Sequence, residues 1–234
     1  MRVAGIQGRC AGLPVDKLSP IWAPSPNFGT RRDGLKPHLI VLHYTAMQDA
    51  QAAKARLSDP SAEVSAHYLI GKDGTCWQLV AEDKRAWHAG AGSWHGWQDI
   101  NSRSIGIELD NDGQSAFSEP LMQTLETLLR GIIQRWSIPP AGVIGHSDMA
   151  PGRKSDPGPF FAWPRLEEAG LARPRGKIAI SHPLDTAMFQ AAAAKIGYSE
   201  PVDPAVLLAA VRLRYRPEAS GPLCLADLIP LGAP

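Results

Sequence analysis

Short apolar runs alternate with segments of helical spacing along most of the chain. Residues 39–42 form a continuous apolar run that predicts a buried strand, and residues 104–109 predict another. Residues 120–136 carry apolar side chains at helical intervals and are flanked by prolines, which predicts an amphipathic helix. Because strands alternate with helices, we expect an α/β fold with a central mixed β-sheet flanked by helices.

Turn signals divide the region between these elements. Residues 50–57 predict a helix, and residues 65–70 and 76–80 predict two strands. The Asp73-Gly74 pair between the two strands favours a tight turn, so we expect them to form a hairpin.

The two ends of the chain differ in composition from its middle. Residues 14–37 are rich in Pro, Ser and Gly and predict an extended lead-in. Beyond residue 176 the spacing predicts helices over residues 185–196 and 204–215 and a short helix after Pro222. We therefore expect an α/β domain with its lead-in over residues 1–176 and a small helical domain over residues 177–234.

Charge and cysteine content exclude several classes of protein. The chain of 234 residues has a net charge of +1 and no basic run, so nucleic-acid binding is not expected. Cys10, Cys76 and Cys224 are widely spaced and form no Cys-x-x-Cys pair, which argues against a disulfide framework and a cysteine zinc site. No oligomeric state follows from the sequence.

Membrane and export signals are also missing from the sequence pattern. No stretch reaches the roughly 18 apolar residues of a membrane span, so none is expected. Residues 1–10 contain no continuous apolar segment of the kind found in secretory signals. We therefore expect a cytoplasmic location, with the periplasm or cell envelope as the alternative.

Polar side chains that can do chemistry cluster in the loop at residues 145–159. This loop contains His146, Lys154 and Asp156, and its prolines and glycines favour turns over regular helix or strand. Combined with His43, which follows the first apolar run, it offers two imidazoles and a carboxylate. Zn²⁺ accepts this set and keeps one tetrahedral position for water, as catalytic zinc sites do.

Each of these residues also has a purely structural interpretation. His43 alone could be a satisfied histidine at a strand end, Lys154 a solvated cation, and Asp156 the cap of a turn at Pro157. Glu108 lies within a predicted strand, where it must face solvent, be paired, or face a cavity as a general base. The separate signals are weak, and their combination is what indicates a site.

Five strings in fixed order carry a family resemblance. They are Val41-Leu-His-Tyr-Thr-Ala46, Ser65-Ala-His-Tyr68, Ala86-Trp-His-Ala-Gly90, Ser104-Ile-Gly-Ile-Glu-Leu109 and the loop from Gly145-His-Ser-Asp to Lys154-Ser-Asp-Pro-Gly158. Together they resemble the zinc-dependent N-acetylmuramoyl-L-alanine amidases. That family includes muropeptide-recycling enzymes, cell-wall amidases and phage endolysins, and it shares its fold with the peptidoglycan recognition proteins.

The resemblance implies a role for each motif residue. It implies that His43, His146 and Asp156 hold one Zn²⁺ per chain, that Glu108 activates water, and that Lys154 stabilises the oxyanion. The activity implied is hydrolysis of the amide between N-acetylmuramic acid, or its 1,6-anhydro form, and L-alanine in muropeptides or peptidoglycan. The alternative is a non-catalytic peptidoglycan recognition module, which the complete ligand set and the added Glu108 and Lys154 argue against.

Other residues of the resemblance carry alternatives. His67, Trp87 and His88 are expected near the cleft as substrate-binding residues, although His67 and Trp87 could instead fill the core. His88 could hydrogen-bond a ligand residue from behind. Trp94 and Trp97 could shape a sugar or peptide subsite.

The C-terminal segment resembles a three-helix peptidoglycan-binding domain, but only in part. It has Leu213-Arg214 where that domain usually has Phe-Gln, so a packing role is the alternative to glycan binding.

Overall fold

A mixed sheet forms the centre of the molecule. The structure is a computed structural model and describes residues 18–177 and 185–232. Its strands are β1 (Ile21–Trp22), β2 (Phe28–Thr30), β3 (Leu39–Tyr44), β4 (Tyr68–Ile70), β5 (Cys76–Gln78), β6 (Lys84–Ala86), β7 (Ser104–Leu109) and β8 (Val143–Gly145). Its α-helices are α1 (Ala50–Ser58), α2 (Ile100–Arg103), α3 (Glu119–Trp136), α4 (His146–Met149), α5 (Trp163–Glu168), α6 (Thr186–Ile196), α7 (Pro204–Tyr215) and α8 (Leu225–Leu228).

The strand order explains where a site can form. The main sheet runs β1-β5-β4-β7-β3-β8, and β2 and β6 form a separate antiparallel pair. Strands β4, β7, β3 and β8 are parallel to one another, whereas β5 is antiparallel to β4. The carboxyl ends of the four parallel strands therefore meet at one edge of the sheet, where ligands bind in open α/β sheets. The predicted mixed sheet flanked by helices is confirmed.

The two faces of the sheet are covered by different parts of the chain. Side chains alternate between faces along a strand, so Ile40 and Leu42 point one way and Leu39 and Val41 the other. The first face packs on α3, through apolar residues that include Leu125. The second face packs on the C-terminal helices, in one cluster that contains Leu39, Val41, Ile144, Phe189, Leu207, Val211 and Tyr215.

The sequence located most elements but not all of their limits. Strand β4 begins at Tyr68, later than expected, while the hairpin of β4 and β5 forms as predicted. The expected lead-in contains β1 and β2. The loop at residues 145–159 was expected to exclude regular structure, yet it opens with the one-turn helix α4. This turn forms because Gly145 precedes the helix and the next proline or glycine is Pro151, after the helix has ended.

The expectations about membrane spans and cysteines can be compared with the structure only over the residues that it describes. In residues 18–177 and 185–232, no helix combines the length and the apolar character needed to cross a bilayer. Cys76 and Cys224 are free thiols. Cys10 and the rest of the N-terminal segment lie outside the described residues.

Candidate metal centre

Three buried side chains converge at the carboxyl edge of the sheet. His43 lies near the end of β3, His146 directly follows β8, and Asp156 comes from the loop after α4. The Nδ1 atoms of the two histidines are 3.0 Å apart, and Oδ2 of Asp156 lies 2.8 Å from the first and 3.0 Å from the second. The three residues are only 2%, 3% and 8% exposed. One ion can therefore reach all three ligand atoms.

The hydrogen bonds of His146 show which of its nitrogens is free to bind an ion. Its Nε2 lies 2.8 Å from the carbonyl oxygen of Ala89. Since a carbonyl only accepts, Nε2 carries the proton and donates it. In the neutral ring, Nδ1 then keeps its lone pair, and this lone pair points towards His43 and Asp156.

A second chain of hydrogen bonds assigns the tautomer of His43. The Ser104 hydroxyl donates to the carbonyl of Ile100 at 2.6 Å, so it accepts from Nε2 of His88 at 3.2 Å. Nδ1 of His88 then accepts from Nε2 of His43 at 3.0 Å. The network thus leaves Nδ1 of His43 unprotonated, and outer partners of this kind orient metal ligands in proteins.

The donor set fits a zinc ion. Two imidazole lone pairs and a carboxylate oxygen lie within 3.0 Å of one another, an arrangement that repels itself unless a cation or a proton sits between them. Burial and the charge of His146 lower the pKa of His43 to about 4. Burial opposes ionisation of Asp156, but contact with both imidazoles holds the pKa of its carboxyl well below the ordinary value. Neutral imidazoles and an ionised carboxylate are the ligand forms that zinc requires.

Glu108 stands beside this triad with a free carboxylate oxygen. It is paired in register with His43 on the adjacent strand. Among the residues that the structure describes, its buried Oε2 has no hydrogen-bond partner. Burial, and then the charge of Asp156, raise the pKa of Glu108 well above its ordinary value, while Lys154 opposes the rise. A carboxylate whose pKa is raised is a stronger base, so it suits the uptake of a proton from water.

A cleft of about 550 Å³ opens over these groups. Among the residues predicted from the sequence, it is lined by His43, Trp87, His88, Glu108, His146, Lys154 and Asp156. Lys154 is exposed on the loop beside the triad. The structure therefore brings together seven of the eight predicted site residues.

His67 is the exception, and its expected contact with substrate is corrected. The residue is 0% exposed and does not line the cleft. Its Nδ1 accepts from the backbone N–H of Gly106 at 3.0 Å, and its Nε2 donates to the carbonyl of Lys84 at 3.1 Å. Burial and the nearby Arg31 charge lower the pKa of His67 to about 3. The ring fills the core beneath the site, which was the alternative interpretation.

Two other expectations are resolved by position. Trp94 is 3% exposed and stacks edge-on against Tyr198, with 5.1 Å between ring centroids. Trp97 is 40% exposed, but it lines a different cavity from the one at the triad. Neither tryptophan shapes a subsite of this cleft.

Sequence reasoning missed two residues that support the centre. Arg153 donates from Nη2 to the carbonyls of Ala89 (2.7 Å) and Ala91, which ties the segment after Trp87 to the metal loop. Ser104 orients His88, as described above. The family strings contained both residues, but no local pattern indicates a role that depends on partners distant in sequence.

Fold and site together define an α/β protein with a candidate metal centre, and comparison gives its family. A family model described as N-acetylmuramoyl-L-alanine amidase matches residues 33–159, more than half of the chain. The chain belongs to the N-acetylmuramoyl-L-alanine amidase family.

Individual relatives agree with this assignment. Over 150 residues the chain is 42% identical to the N-acetylmuramoyl-L-alanine amidase AmiD of Escherichia coli K12, a match that covers 57% of this chain and 53% of AmiD. It is 37% identical over 160 residues to the 1,6-anhydro-N-acetylmuramyl-L-alanine amidase AmpD of Salmonella typhimurium SL1344, covering 61% of this chain and 86% of AmpD. The matched sequence thus spans about half the length of AmiD and most of AmpD.

Solved structures extend the similarity to most of the chain. E. coli AmiD in complex with the substrate anhydro-N-acetylmuramic acid-L-Ala-D-γ-Glu-L-Lys has a TM-score of 0.74, with 31% identity and 89% coverage of both chains. AmpDh3 of Pseudomonas aeruginosa in complex with anhydromuramic pentapeptide has a TM-score of 0.75 and 33% identity, and the match covers 86% of this chain and 92% of that one.

Proposed function

We propose that the chain is a zinc-dependent hydrolase that cleaves the amide between 1,6-anhydro-N-acetylmuramic acid and L-alanine in soluble muropeptides. The observation that carries the proposal is the convergence of His43 Nδ1, His146 Nδ1 and Asp156 Oδ2 beside Glu108, whose buried Oε2 has no hydrogen-bond partner among the described residues. The names of AmpD and the bound molecules of the AmiD and AmpDh3 complexes support the anhydro substrate.

His43, His146 and Asp156 would hold the ion beside the cleft. Zinc bound there would supply Lewis-acid chemistry, polarising the substrate carbonyl and acidifying water near neutral pH. Because the Nε2 atoms of His43 and His146 donate to His88 and to the Ala89 carbonyl, both rings are oriented with Nδ1 towards Asp156.

Glu108 moves the proton. Its carboxylate takes a proton from the water that attacks the lactyl carbonyl carbon, and a C–O bond forms. The same carboxyl then gives the proton to the alanine nitrogen as the C–N bond breaks. The products are a lactyl carboxylic acid and the L-alanine amine, and the acid then gives its proton to the amine, so that a carboxylate and an ammonium group result and atoms and charges balance. The raised pKa of Glu108 and its unpartnered oxygen suit both steps.

The remaining lining residues have supporting roles in this proposal. Lys154 places an ammonium group beside the carbonyl oxygen as negative charge develops there. Trp87 offers a ring to the substrate from the cleft wall. Both nitrogens of His88 are used by His43 and Ser104, so His88 acts on the metal ligand and not on the substrate.

Recycling of soluble muropeptides agrees with the expected cytoplasmic location, which stays a prediction. A polymeric substrate would instead place the protein at the cell envelope.

The experiment compares the two substrates directly. The zinc-loaded full chain is incubated with a soluble anhydromuropeptide and, in parallel, with intact sacculi, and products are identified by mass spectrometry. We expect free stem peptide and anhydro-N-acetylmuramic acid from the soluble substrate, at a rate well above that from sacculi. Preferential release from sacculi would reject the substrate proposed, and release from neither would reject the activity.

A further inference from the structure

A buried polar cluster connects the C-terminal helices to the loop that carries His146. The Asp148 carboxylate accepts from Nη1 of Arg214 at 2.6 Å and from the hydroxyl of Tyr198 at 2.6 Å. Asp148 is 1% exposed, and Arg214 and Tyr198 are each 4% exposed. All three groups are therefore sheltered from water, where such contacts are strong.

The same cluster includes a residue after His146, Asp148, and forms hydrogen bonds to the backbone before it. Oδ2 of Asp148 also accepts from the backbone N–H of Gly145 at 2.8 Å, and Gly145 immediately precedes His146. The second guanidinium nitrogen of Arg214 donates to the carbonyl of Val143 at 3.2 Å, at the start of β8. One side chain of α7 thus bonds to the strand before the ligand and, through Asp148, to the helix that contains it.

Close packing accompanies these bonds. Gly152 lies in the turn between His146 and Asp156 with φ of +75°, and a Cβ built on it would lie 2.7 Å from Cγ1 of Val206 in α7. Met149 of α4 belongs to the same apolar cluster as Val211. Helix α7 therefore lies directly against the backbone that connects two of the three metal ligands.

Burying the ion pair of Arg214 and Asp148 costs desolvation free energy, which suggests that the pair serves to fix the conformation of this segment. A buried arginine–carboxylate pair repays its desolvation poorly, and its best-attested use is to specify one arrangement of the chain. The arrangement specified here is the position of His146, whose Nδ1 must lie close to both His43 and Asp156.

We propose that Arg214, assisted by Tyr198, is a positioning residue for the metal ligand His146, acting through Asp148. The C-terminal helices are then part of the support of the metal centre. The role rests on the amidase function proposed above, since it assumes that the triad binds zinc.

The chain supplies a matched control on the same helix. Arg212 is 8% exposed and forms its own ion pair, with Asp227, at 2.9 Å from Nε and 2.7 Å from Nη2. Asp227 lies on α8, so this pair stays within the C-terminal segment. Arg212 and Arg214 share helix and charge, and both are buried, but only Arg214 reaches the metal loop.

The test measures metal binding in full-length Arg214→Gln and Arg212→Gln. Zinc affinity is obtained by competition with a chromophoric chelator, and the visible spectrum of the cobalt-substituted protein reports ligand geometry. We expect Arg214→Gln to weaken zinc binding by about 10-fold, the lower end for partners outside the ligand set, and to change the cobalt spectrum. Arg212→Gln should lower thermal stability and leave both readouts as in wild type.

Two milder variants keep the test decisive if Arg214→Gln fails to fold. Arg214→Lys retains the charge without the two-pronged geometry, so it should recover only part of the affinity. Tyr198→Phe removes one hydrogen bond and keeps the ring, and it should shift the cobalt spectrum by less than Arg214→Gln does.

Wild-type zinc affinity and cobalt spectrum in every variant that folds would overturn the positioning role, as would equal weakening in Arg212→Gln. Failure of the proposed function looks different. Wild-type protein would then bind zinc yet release no stem peptide, and the comparison of metal affinities would still stand.

Discussion

His43 and Glu108 lie side by side as register partners on the neighbouring parallel strands β3 and β7. Adjacent strands lie about 4.8 Å apart, and register partners point to the same face. The proposed metal ligand His43 and the proposed base Glu108 are thus held at a fixed separation by backbone hydrogen bonds of the sheet. His146, the first residue of α4, and Asp156, in the loop that follows α4, complete the triad from outside these two strands.

Replacing the base should separate metal binding from turnover. Glu108→Gln keeps shape and hydrogen-bonding capacity but cannot take up the proton, so we expect kcat to fall by about 10²–10⁴ with full zinc content. Metal analysis and steady-state kinetics on a soluble anhydromuropeptide measure both quantities. Glu63→Gln, at an exposed glutamate outside the cleft, is the control and should behave as wild type. Undiminished kcat in Glu108→Gln would refute its role.

Removing a ligand should abolish stabilisation by zinc. An ion that binds only the folded state adds about 2.7 kcal/mol to the free energy of unfolding at 100 times its dissociation constant. We expect thermal unfolding of wild type, but not of His146→Ala, to shift upward on zinc addition. His95→Ala, at an exposed histidine outside the cleft, should keep the shift. Equal shifts in both variants would show that His146 is not a ligand.

The hydrogen-bond chain behind His43 can be cut at its far end. Ser104→Ala leaves Nε2 of His88 without its acceptor, so the His88 ring loses the contact that orients it towards His43. We expect zinc affinity to fall by about 10-fold. Ser102 is equally buried, with 0% exposure, but bonds to Arg85 and to the backbone of Arg32, so Ser102→Ala is the matched control. If both variants bind zinc equally well, the series of hydrogen bonds from Ser104 to His43 does not contribute to zinc affinity.

A glycine makes room for the same ring. A Cβ at Gly106 would lie 2.4 Å from Cγ of His88, far inside contact distance. Gly106→Ala must therefore displace His88, and we expect a loss of about 1–3 kcal/mol in the free energy of unfolding together with weaker zinc binding. Gly29→Ala provides the comparison, since Gly29 is also in a strand and has nothing within 4 Å of the added carbon. Tight zinc binding by Gly106→Ala would contradict the proposed support of His43.

The buried histidine beneath the site should make stability depend on pH. The pKa of His67 is lowered to about 3, below its ordinary 6.5, so the unfolded chain binds a proton that the folded chain refuses. This contribution to stability is complete above pH 6.5 and is lost as pH falls towards 3, by about 1.4 kcal/mol per unit. Urea unfolding of His67→Gln between pH 4 and 7 should therefore give a flatter dependence than wild type. Parallel curves would mean that another group takes up the proton.

Local patterns predicted the elements whose signal is local. Strand β7 and helix α3 appear at or within one residue of their expected limits, because an apolar run and a helical repeat need no distant partner. The observed limits of an element differ from the predicted ones where tertiary contacts determine them, as at the start of β4. The residues of the metal triad came from matching motifs, since no spacing rule brings residue 43 next to residue 146.

Histidines 67 and 88 show why the rest could not be predicted. Both occur in family strings and both precede or follow aromatic residues, yet one is sealed under the sheet and the other lines the cleft. Arg214 is a similar case. In the sequence, Arg214 stands where the peptidoglycan-binding domain usually has glutamine. Its buried partner Asp148 lies 66 positions earlier. Only the folded chain shows that the departure has a structural use.

Because the C-terminal helices cover the second face of the sheet, truncation of the protein has a predictable consequence. A fragment ending at residue 176 retains every proposed metal ligand, but it lacks the helices that cover Leu39, Val41 and Ile144. An apolar strip of that kind promotes self-association of the shortened product. Chimeras and fusion proteins that include the proposed metal centre should therefore extend through residue 232, so that the C-terminal helices still cover this face of the sheet.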